Sequence, residues 1–150
     1  MGEYIPNRKE YDPRMHSAEH ILNQTMDRMF KCGRAFSAHI ERRKSKCDYR
    51  FDRNLTEEEI SKIEKAVNAI IAQDLPIKEK FLSKDEAAKI VSLAKLPADA
   101  GEQVRIITIG DYDICPCSGI HANSTKELGA FKIISTNWNG NVLRIRWKLL

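Results

Sequence analysis

Two pairs of residues in this sequence have the types and the spacing of metal ligands. His16 and His20 lie four residues apart, and so do Cys117 and His121. On a helix, residues four apart leave the same face, so the first pair can reach one ion. The second pair lies in a segment with Ser and Gly that can wrap a metal from the other side. Three imidazoles and one thiolate form a ligand set that suits tetrahedral zinc.

The histidine pair differs from the zinc-protease helix, in which a glutamate directly follows the first histidine. Ser17 holds that position here, and Glu19 directly precedes His20. Because neighbouring residues on a helix are rotated by about 100°, we expect Glu19 to point away from the ion. Peptidase chemistry would then lack its base.

The two pairs are predicted on different kinds of backbone. Apolar residues between positions 14 and 31 recur with a period near 3.6, which predicts a helix carrying His16 and His20. Residues Gly110–Ile120, rich in Cys, Pro, Gly and Asp, predict a loop that carries Cys117 and leads into His121.

The remaining elements predict the class of fold. Capping boxes that start at Thr56 and Ser83 predict two more helices, the first running to about Gln73 and the second ending before Pro97. The dipeptide Asn139-Gly140 predicts a hairpin turn. Strands are predicted at 36–41, 47–52, 77–82, 104–109, 131–136 and 142–149. Together these elements predict an α+β fold with an antiparallel, partly curved sheet and helices packed against one face.

Length and composition narrow the class of protein. A chain of 150 residues, 42% hydrophobic and 31% charged, fits one domain over residues 1–150. No apolar run approaches the roughly 20 residues of a membrane span, so we expect no membrane partner. We recognise no secretory signal and expect a cytoplasmic protein whose four cysteines stay reduced. Nothing in the sequence indicates an obligate protein partner.

Positive charge is concentrated in two places, although the net charge of +4 is mild. One cluster lies in a predicted turn, and the other follows the outward positions of the last predicted strand. Both are candidate contacts to nucleic-acid phosphates, and a solvated surface is the alternative interpretation. The residues are Arg42, Arg43 and Lys44 in the turn, and Arg144, Arg146 and Lys148 on the strand.

Three segments, taken in order, resemble the editing domain of alanyl-tRNA synthetase. The family shows an HxxxH helix, a CGGTH-like loop and an IGxFKI-like strand. The matching segments here are His16-Ser17-Ala18-Glu19-His20, Cys117-Ser118-Gly119-Ile120-His121 and Leu128-Gly129-Ala130-Phe131-Lys132-Ile133. The resemblance covers roughly residues 12 to 149. It implies the fold of the second additional domain shared by threonyl- and alanyl-tRNA synthetases, and we expect a free-standing protein of the short AlaX type.

The resemblance also implies a function. The family hydrolyses the ester bond of mischarged tRNA(Ala), mainly Ser-tRNA(Ala) and Gly-tRNA(Ala). Its zinc ligands match His16, His20, Cys117 and His121 of this sequence. Counting back from Arg50-Phe51-Asp52, which resembles the family's RFDF segment, puts His39 where synthetase-linked versions carry a residue near the substrate. We therefore expect Zn²⁺ as cofactor, mischarged tRNA(Ala) as partner and His39 as a catalytic residue.

The sequence departs from the family in the loop. Ile120 replaces a hydroxyl-bearing Thr, and Cys115 adds a second thiol. Cys115 is an alternative ligand, but Pro116 and the four-residue spacing to His121 favour Cys117.

Several functional alternatives remain open. The zinc ion either activates water or holds the amino acid's amine or hydroxyl. The related editing domain of threonyl-tRNA synthetase, which acts on Ser-tRNA(Thr), shares both ligand pairs. A non-catalytic zinc module that binds RNA is the alternative from another class.

Overall fold

Residues 12–90 and 103–150 are described by the computed structural model. Within that part of the chain the helices are α1 (Pro13–Phe30), α2 (Glu57–Ala72) and α3 (Lys84–Ala88), with a 3₁₀ helix at Thr125–Leu128. The strands are β1 (Ser37–His39), β2 (Ser45–Arg50), β3 (Ile77–Ser83), β4 (Gln103–Ile109), β5 (Asp113–Pro116), β6 (Phe131–Asn139) and β7 (Val142–Leu149).

Each α-helix begins at a side chain that satisfies free amides of its first turn. Asp12 accepts two backbone N–H bonds at the start of α1. Thr56 and Ser83 form the predicted capping boxes of α2 and α3. The last of these helices ends at Ala88. Pro97, before which the sequence predicts its end, lies outside the described residues.

The strands form two antiparallel sheets, which confirms the α+β class. The larger sheet has the order β1-β2-β7-β6, and the smaller sheet has the order β3-β4-β5. The sequence predicts one sheet, so the division into two is a difference. It arises because β3 pairs with β4 along its whole length.

The loop prediction for Gly110–Ile120 is wrong in part. Residues Asp113–Pro116 form β5, which pairs with β4 from Ile109↔Asp113 to Ile106↔Pro116. Pairing with a neighbouring strand overrides the weak strand propensity of a segment that contains Asp, Cys and Pro. As a result, a regular strand leads directly into Cys117.

The hairpin turn lies one residue further along than predicted. Gly140 and Asn141 have φ values of 55° and 62°, and Asn139 pairs with Val142. A turn of this kind requires positive φ at both central residues, which Gly and Asn tolerate in either order. Burial then decides the register, because it places Leu143, Ile145 and Trp147 of β7 inside.

Helix α1 contacts both sheets. Tyr49 of β2 donates to Asn23 Oδ1 at 2.8 Å, and Gln24 donates to Asp113 Oδ1 of β5 at 2.9 Å. Its buried apolar side chains belong to one cluster that also contains side chains of α2, β2, β4, β6 and β7. This packing fixes the helix that carries both predicted histidine ligands. Among the described residues, no helix combines the length and apolar character needed to cross a membrane.

Candidate metal centre

The four predicted ligands converge. His16, His20, Cys117 and His121 each offer one ligand atom, and these atoms all lie within 4.8 Å of one another. Both histidines of α1 are buried, with 5% and 4% of their surface exposed. The backbone thus brings together one pair from a regular helix and one pair from the segment that follows β5.

His16 contacts the segment that carries Cys117 and His121. Its Nδ1 lies 3.1 Å from the carbonyl oxygen of Ile120, and its Nε2 lies 3.5 Å from Cys117 Sγ. A ring nitrogen bonded to a backbone carbonyl carries the proton, so Nε2 is the nitrogen of His16 that can bind a metal. The ring also stacks on His121, with centroids 4.3 Å apart.

Ser17 orients His121. The Ser17 hydroxyl accepts from the Ala122 amide at 3.0 Å and lies 3.0 Å from His121 Nδ1. His121 Nε2 is buried and has no hydrogen-bond partner in the described part of the chain. An orphaned buried nitrogen costs free energy unless a ligand satisfies it. Its position among two other imidazoles and a thiol fits a metal ligand.

Asp113 stands behind His20. Its Oδ2 lies 3.5 Å from His20 Nδ1, and Arg34 and Gln24 donate to the same carboxylate at 2.8 and 2.9 Å. Burial favours a higher pKa for Asp113, but His20 and Arg34 outweigh it and lower the pKa to about 2. The carboxylate therefore stays ionised and faces the His20 ring as its charge partner.

The electrostatics of the cluster favour a thiolate. Burial alone would raise the pKa of Cys117, but the neighbouring imidazoles of His121, His16 and His20 lower it to about 3. Burial would lower the pKa of His20, yet Asp113 and Cys117 raise it to about 9. Burial lowers the pKa of His121 to about 4, so its ring is neutral. The Cys117 thiolate and the neutral His121 ring are donors that zinc prefers, and His20 would release its proton on binding the ion.

Arg105 of β4 holds the loop that carries Cys117. Its Nη1 donates to the carbonyl oxygens of Cys117 and Gly119 at 2.7 and 2.8 Å, and its Nε donates to Glu79 at 2.6 Å. These bonds turn the backbone so that the Gly119 amide points at Cys117 Sγ, at 3.4 Å.

Gly119 leaves room for a ligand ring. A Cβ at this position would lie 2.2 Å from His16 Cε1 and 2.5 Å from its Nδ1. Only glycine permits such a close approach of the loop to the histidine. Together with the orphaned nitrogen and the donor chemistry, this cradle fits a bound zinc ion.

The expectation that Glu19 points away from the centre is wrong. Its Oε1 lies 3.6 Å from His16 Nε2, and only 15% of its side chain is exposed. Residues three apart on a helix are neighbours, and the flexible glutamate side chain bends back toward His16. A carboxylate therefore lies beside the nitrogen that faces the centre.

The other predicted site residues lie elsewhere. His39 is exposed on β1, where its Nε2 lies 2.8 Å from Glu41 Oε1, and it is not among the four converging groups. The turn residues Arg42, Arg43 and Lys44 are exposed, whereas Arg144, Arg146 and Lys148 are half-buried on the outer side of β7. No contact in the described residues tests the catalytic role of His39, which stays a prediction.

The local residue pattern did not predict the side chains that hold the ligands in place. It indicated no such role for Ser17, Asp113, Arg34 or Arg105. Asp113 had one weak signal, because it is one of two carboxylates, with Asp111, between the predicted strand and the cysteine ligand. Arg105 had none, because its partners are backbone carbonyls that any residue carries.

Comparison with known family models identifies the class of domain. Residues 104–146 match the family model for the threonyl and alanyl tRNA synthetase second additional domain. This segment contains β5 and the Cys117–His121 pair.

Individual relatives are alanine–tRNA ligases. The chain is 32% identical to that of Fervidobacterium nodosum over 123 residues, which is 81% of this chain and 14% of the ligase. It is 30% identical to that of Pelotomaculum thermopropionicum over 141 residues, 93% of this chain and 16% of the ligase. These matches confirm the resemblance to the editing domain of alanyl-tRNA synthetase. The chain spans only about one-seventh of the length of these relatives.

Proposed function

We propose that this protein hydrolyses the ester bond of mischarged tRNA(Ala), chiefly Ser-tRNA(Ala) and also Gly-tRNA(Ala), in the cytoplasm. The observation that carries the proposal is the convergence of His16, His20, Cys117 and His121 within 4.8 Å. The relationship to alanine–tRNA ligases supports tRNA-related editing at the level of the family.

Zn²⁺ is the proposed cofactor, with these four residues as its ligands. When bound, it supplies a Lewis acid that polarises the ester or holds the amine or hydroxyl of the amino acid. Glu19, beside His16, is the carboxylate available to take a proton from the attacking water. An aminoacyl ester is already activated, so positioning contributes much of the rate.

Selectivity against alanine follows from the serine hydroxyl. A site with polar groups that bind this hydroxyl leaves those groups unpaired when alanine enters. Polar groups at the centre are abundant, since three imidazoles, a thiolate and the Glu19 carboxylate lie together. We retain His39 as a proposed catalytic residue. Its substitution by Ala tests that role separately from the metal ligands.

We further propose that the RNA body is bound through its phosphates. The proposed contacts are the two predicted basic clusters, Arg42, Arg43, Lys44, Arg144, Arg146 and Lys148. Phosphate contacts of this kind supply affinity that falls steeply with salt.

A second candidate substrate is Ser-tRNA(Thr). The family model that matches residues 104–146 describes threonyl as well as alanyl tRNA synthetases, which keeps this candidate open. The relatives reported above are alanine–tRNA ligases, and this favours tRNA(Ala).

A deacylation panel tests the proposal. Purified protein is incubated with seryl-, glycyl- and alanyl-tRNA(Ala) and with seryl-tRNA(Thr), with and without a zinc chelator. We expect fast hydrolysis of seryl-tRNA(Ala), slow hydrolysis of alanyl-tRNA(Ala) and loss of activity with chelator. Retained folding after chelation separates a catalytic site from a structural one.

Two variants accompany the panel. His16→Ala should abolish stoichiometric zinc binding and hydrolysis together, and retained hydrolysis would refute the site. Glu19→Gln should keep the zinc and lower the rate by about 10²-fold or more, as expected for loss of a general base. A Glu19→Gln protein with normal rate would show that water needs no such carboxylate here.

A further inference from the structure

The outer side of the larger sheet contains a basic recess, and none of the four metal ligands lines it. We define the basic recess by its lining, a cavity of ≈ 240 Å³ formed by His39, Glu41, Lys44, Ser45, Lys46 and Arg146. This volume is several times the roughly 30 Å³ that a water molecule occupies, so a phosphate group fits. Three of the lining residues are cations and one is an acid.

Strand register builds the floor of the recess. His39 pairs with Lys46 across β1 and β2, and Lys46 pairs with Arg146 across β2 and β7. Side chains directly opposite one another lie about 5 Å apart on the same face of a sheet. One row across three strands therefore presents an imidazole, an ammonium and a guanidinium side by side.

Like charges directly opposite one another destabilise a sheet. Lys46↔Arg146 is such a pair, and two residues further along β7 Lys148↔Lys132 is a second. Within residues 12–90 and 103–150, no carboxylate lies within ion-pair distance of Lys46, Arg146, Lys132 or Lys148. Asp48 interacts with Lys46 and Arg146 without an ion pair to either, and a bound anion would offset the remaining repulsion directly.

The neighbouring row shows the opposite arrangement. Arg144 makes a bidentate ion pair with Asp48, at 2.8 and 2.9 Å, so its charge is already neutralised. Arg146 is held instead by a neutral acceptor, since its Nη1 donates to Asn137 Oδ1 at 2.8 Å. A guanidinium has five N–H donors, so Arg146 keeps donors for a ligand.

The rim of the recess is held by a closed turn. Ser45 Oγ accepts from the Glu41 amide at 3.0 Å and donates to the Glu41 carbonyl at 3.1 Å. This closes residues 41–45 into one unit that carries Lys44. The cations therefore lie on ordered backbone rather than on a free loop.

We infer that the basic recess seats a backbone phosphate of the tRNA, with Lys46 and Arg146 as its principal contacts. This inference rests on the proposed tRNA substrate and narrows the proposed contacts to one place. It assigns a role to Lys46, and it makes Arg144 a residue that orders the sheet through Asp48. Glu41 is the unfavourable member of the recess, because its carboxylate repels the phosphate.

Binding of uncharged tRNA(Ala), measured by fluorescence anisotropy over a series of salt concentrations, tests the inference. Lys46→Gln and Arg146→Gln should each weaken binding about tenfold at low salt and reduce the salt slope by about one. Glu41→Gln should tighten binding about threefold, because it removes the repulsive charge. Lys80→Gln is the matched control, an exposed strand lysine on the smaller sheet, and should bind like wild type.

Each outcome of these measurements supports or overturns phosphate binding at the basic recess. Wild-type affinity in both Lys46→Gln and Arg146→Gln, or an equal loss in Lys80→Gln, overturns the inference. Displacement of tRNA by micromolar AMP also overturns it, because the recess would then be a mononucleotide site. Circular dichroism of each variant excludes unfolding as the cause of a loss. If tRNA binds through the recess but seryl-tRNA(Ala) is not hydrolysed, the proposed function fails and the recess stands.

Discussion

The two halves of the candidate metal centre are held in different ways. His16 and His20 lie on a helix, where geometry alone places both rings on one face. Cys117 and His121 follow β5 in irregular backbone, where no repeating geometry aligns their side chains. Contacts to Arg105 and Ser17 do this instead.

This difference explains which residues position each pair, the helix half (His16 and His20) and the loop half (Cys117 and His121). The helix half depends on the packing of α1 and on one carboxylate, Asp113, beside His20. The loop half needs hydrogen bonds to its backbone and a residue without a side chain at Gly119. We therefore expect the loop half to respond more strongly to small changes of shape, and the helix half to changes of charge.

Among substitutions outside the four ligands, the largest effect is expected from Gly119→Ala. A Cβ at 2.2 Å from His16 Cε1 forces the loop and the ring apart. We expect zinc affinity to fall by more than about 100-fold, because overpacking displaces two ligand-bearing segments at once. Competition with a chromophoric chelator measures the affinity.

The neighbouring substitution Ser118→Ala is its control, since this residue is exposed and the change alters a side chain that faces solvent. Wild-type zinc affinity in Gly119→Ala would mean that the loop adjusts freely, and the contrast between the two halves would be lost.

Asp113→Asn should have the next largest effect. The substitution keeps the shape but removes the charge that faces His20 and Arg34. Loss of a carboxylate behind a metal-binding histidine weakens metal binding by about 10- to 100-fold. Isothermal titration with zinc measures it, and Asp111→Asn, an exposed carboxylate two residues away, is the control. Equal affinities in the two variants would show that helix geometry suffices without Asp113.

Local sequence patterns predicted much of the fold. The helix carrying His16 and His20 and the capping boxes at Thr56 and Ser83 depend on local spacing, and all are confirmed. Strand β5 and the division into two sheets depend on which strands pair, and no local pattern carries that information. The hairpin turn was displaced by one residue because Asn139-Gly140 and Gly140-Asn141 satisfy the same φ requirement.

The candidate site also has a locally predicted part and a part that depends on non-local contacts. The four-residue spacing within each pair is a local property and predicted the four groups, and the structure brings the two pairs together. Glu19 was misjudged because rotation about the helix axis fixes Cβ and leaves a long side chain free to bend back toward His16. Asp113 and Arg105 reach the centre only through pairing of β4 and β5, which is non-local.

Arg105→Gln should weaken the loop half moderately. It removes the donor to the Cys117 and Gly119 carbonyls, while the loop keeps its bond to Ser17 through Ala122. We expect zinc affinity to fall about tenfold, because both lost charge-assisted hydrogen bonds orient the loop without contacting the ion. Cobalt titration, followed by the thiolate-to-metal absorption band, reports directly on Cys117.

Glu79→Gln separates the two roles of this arginine. It removes the exposed carboxylate partner and leaves both carbonyl bonds in place. We expect little change in cobalt affinity. A loss as large as that of Arg105→Gln would place the effect on the surface ion pair rather than on the loop.

The smallest effect is an acid sensitivity that belongs to the helix half. His20 and Arg34 lower the pKa of Asp113 to about 2, below its ordinary value of 3.8, so the folded state binds this proton less readily than the unfolded state. The stability from Asp113 is therefore fully present above about pH 4 and is lost as the pH falls through about 2. The hydrogen bonds from Arg105 to the loop carbonyls, which hold the loop half, involve no group that titrates in this pH range. The free energy of unfolding, measured with urea at pH 7, 4 and 2.5, should fall more steeply with acid for wild type than for Asp113→Asn. Arg105→Gln should show the same pH dependence as wild type. Parallel curves for wild type and Asp113→Asn would mean that the Asp113–Arg34 ion pair adds nothing to stability, and that burial alone holds the helix half.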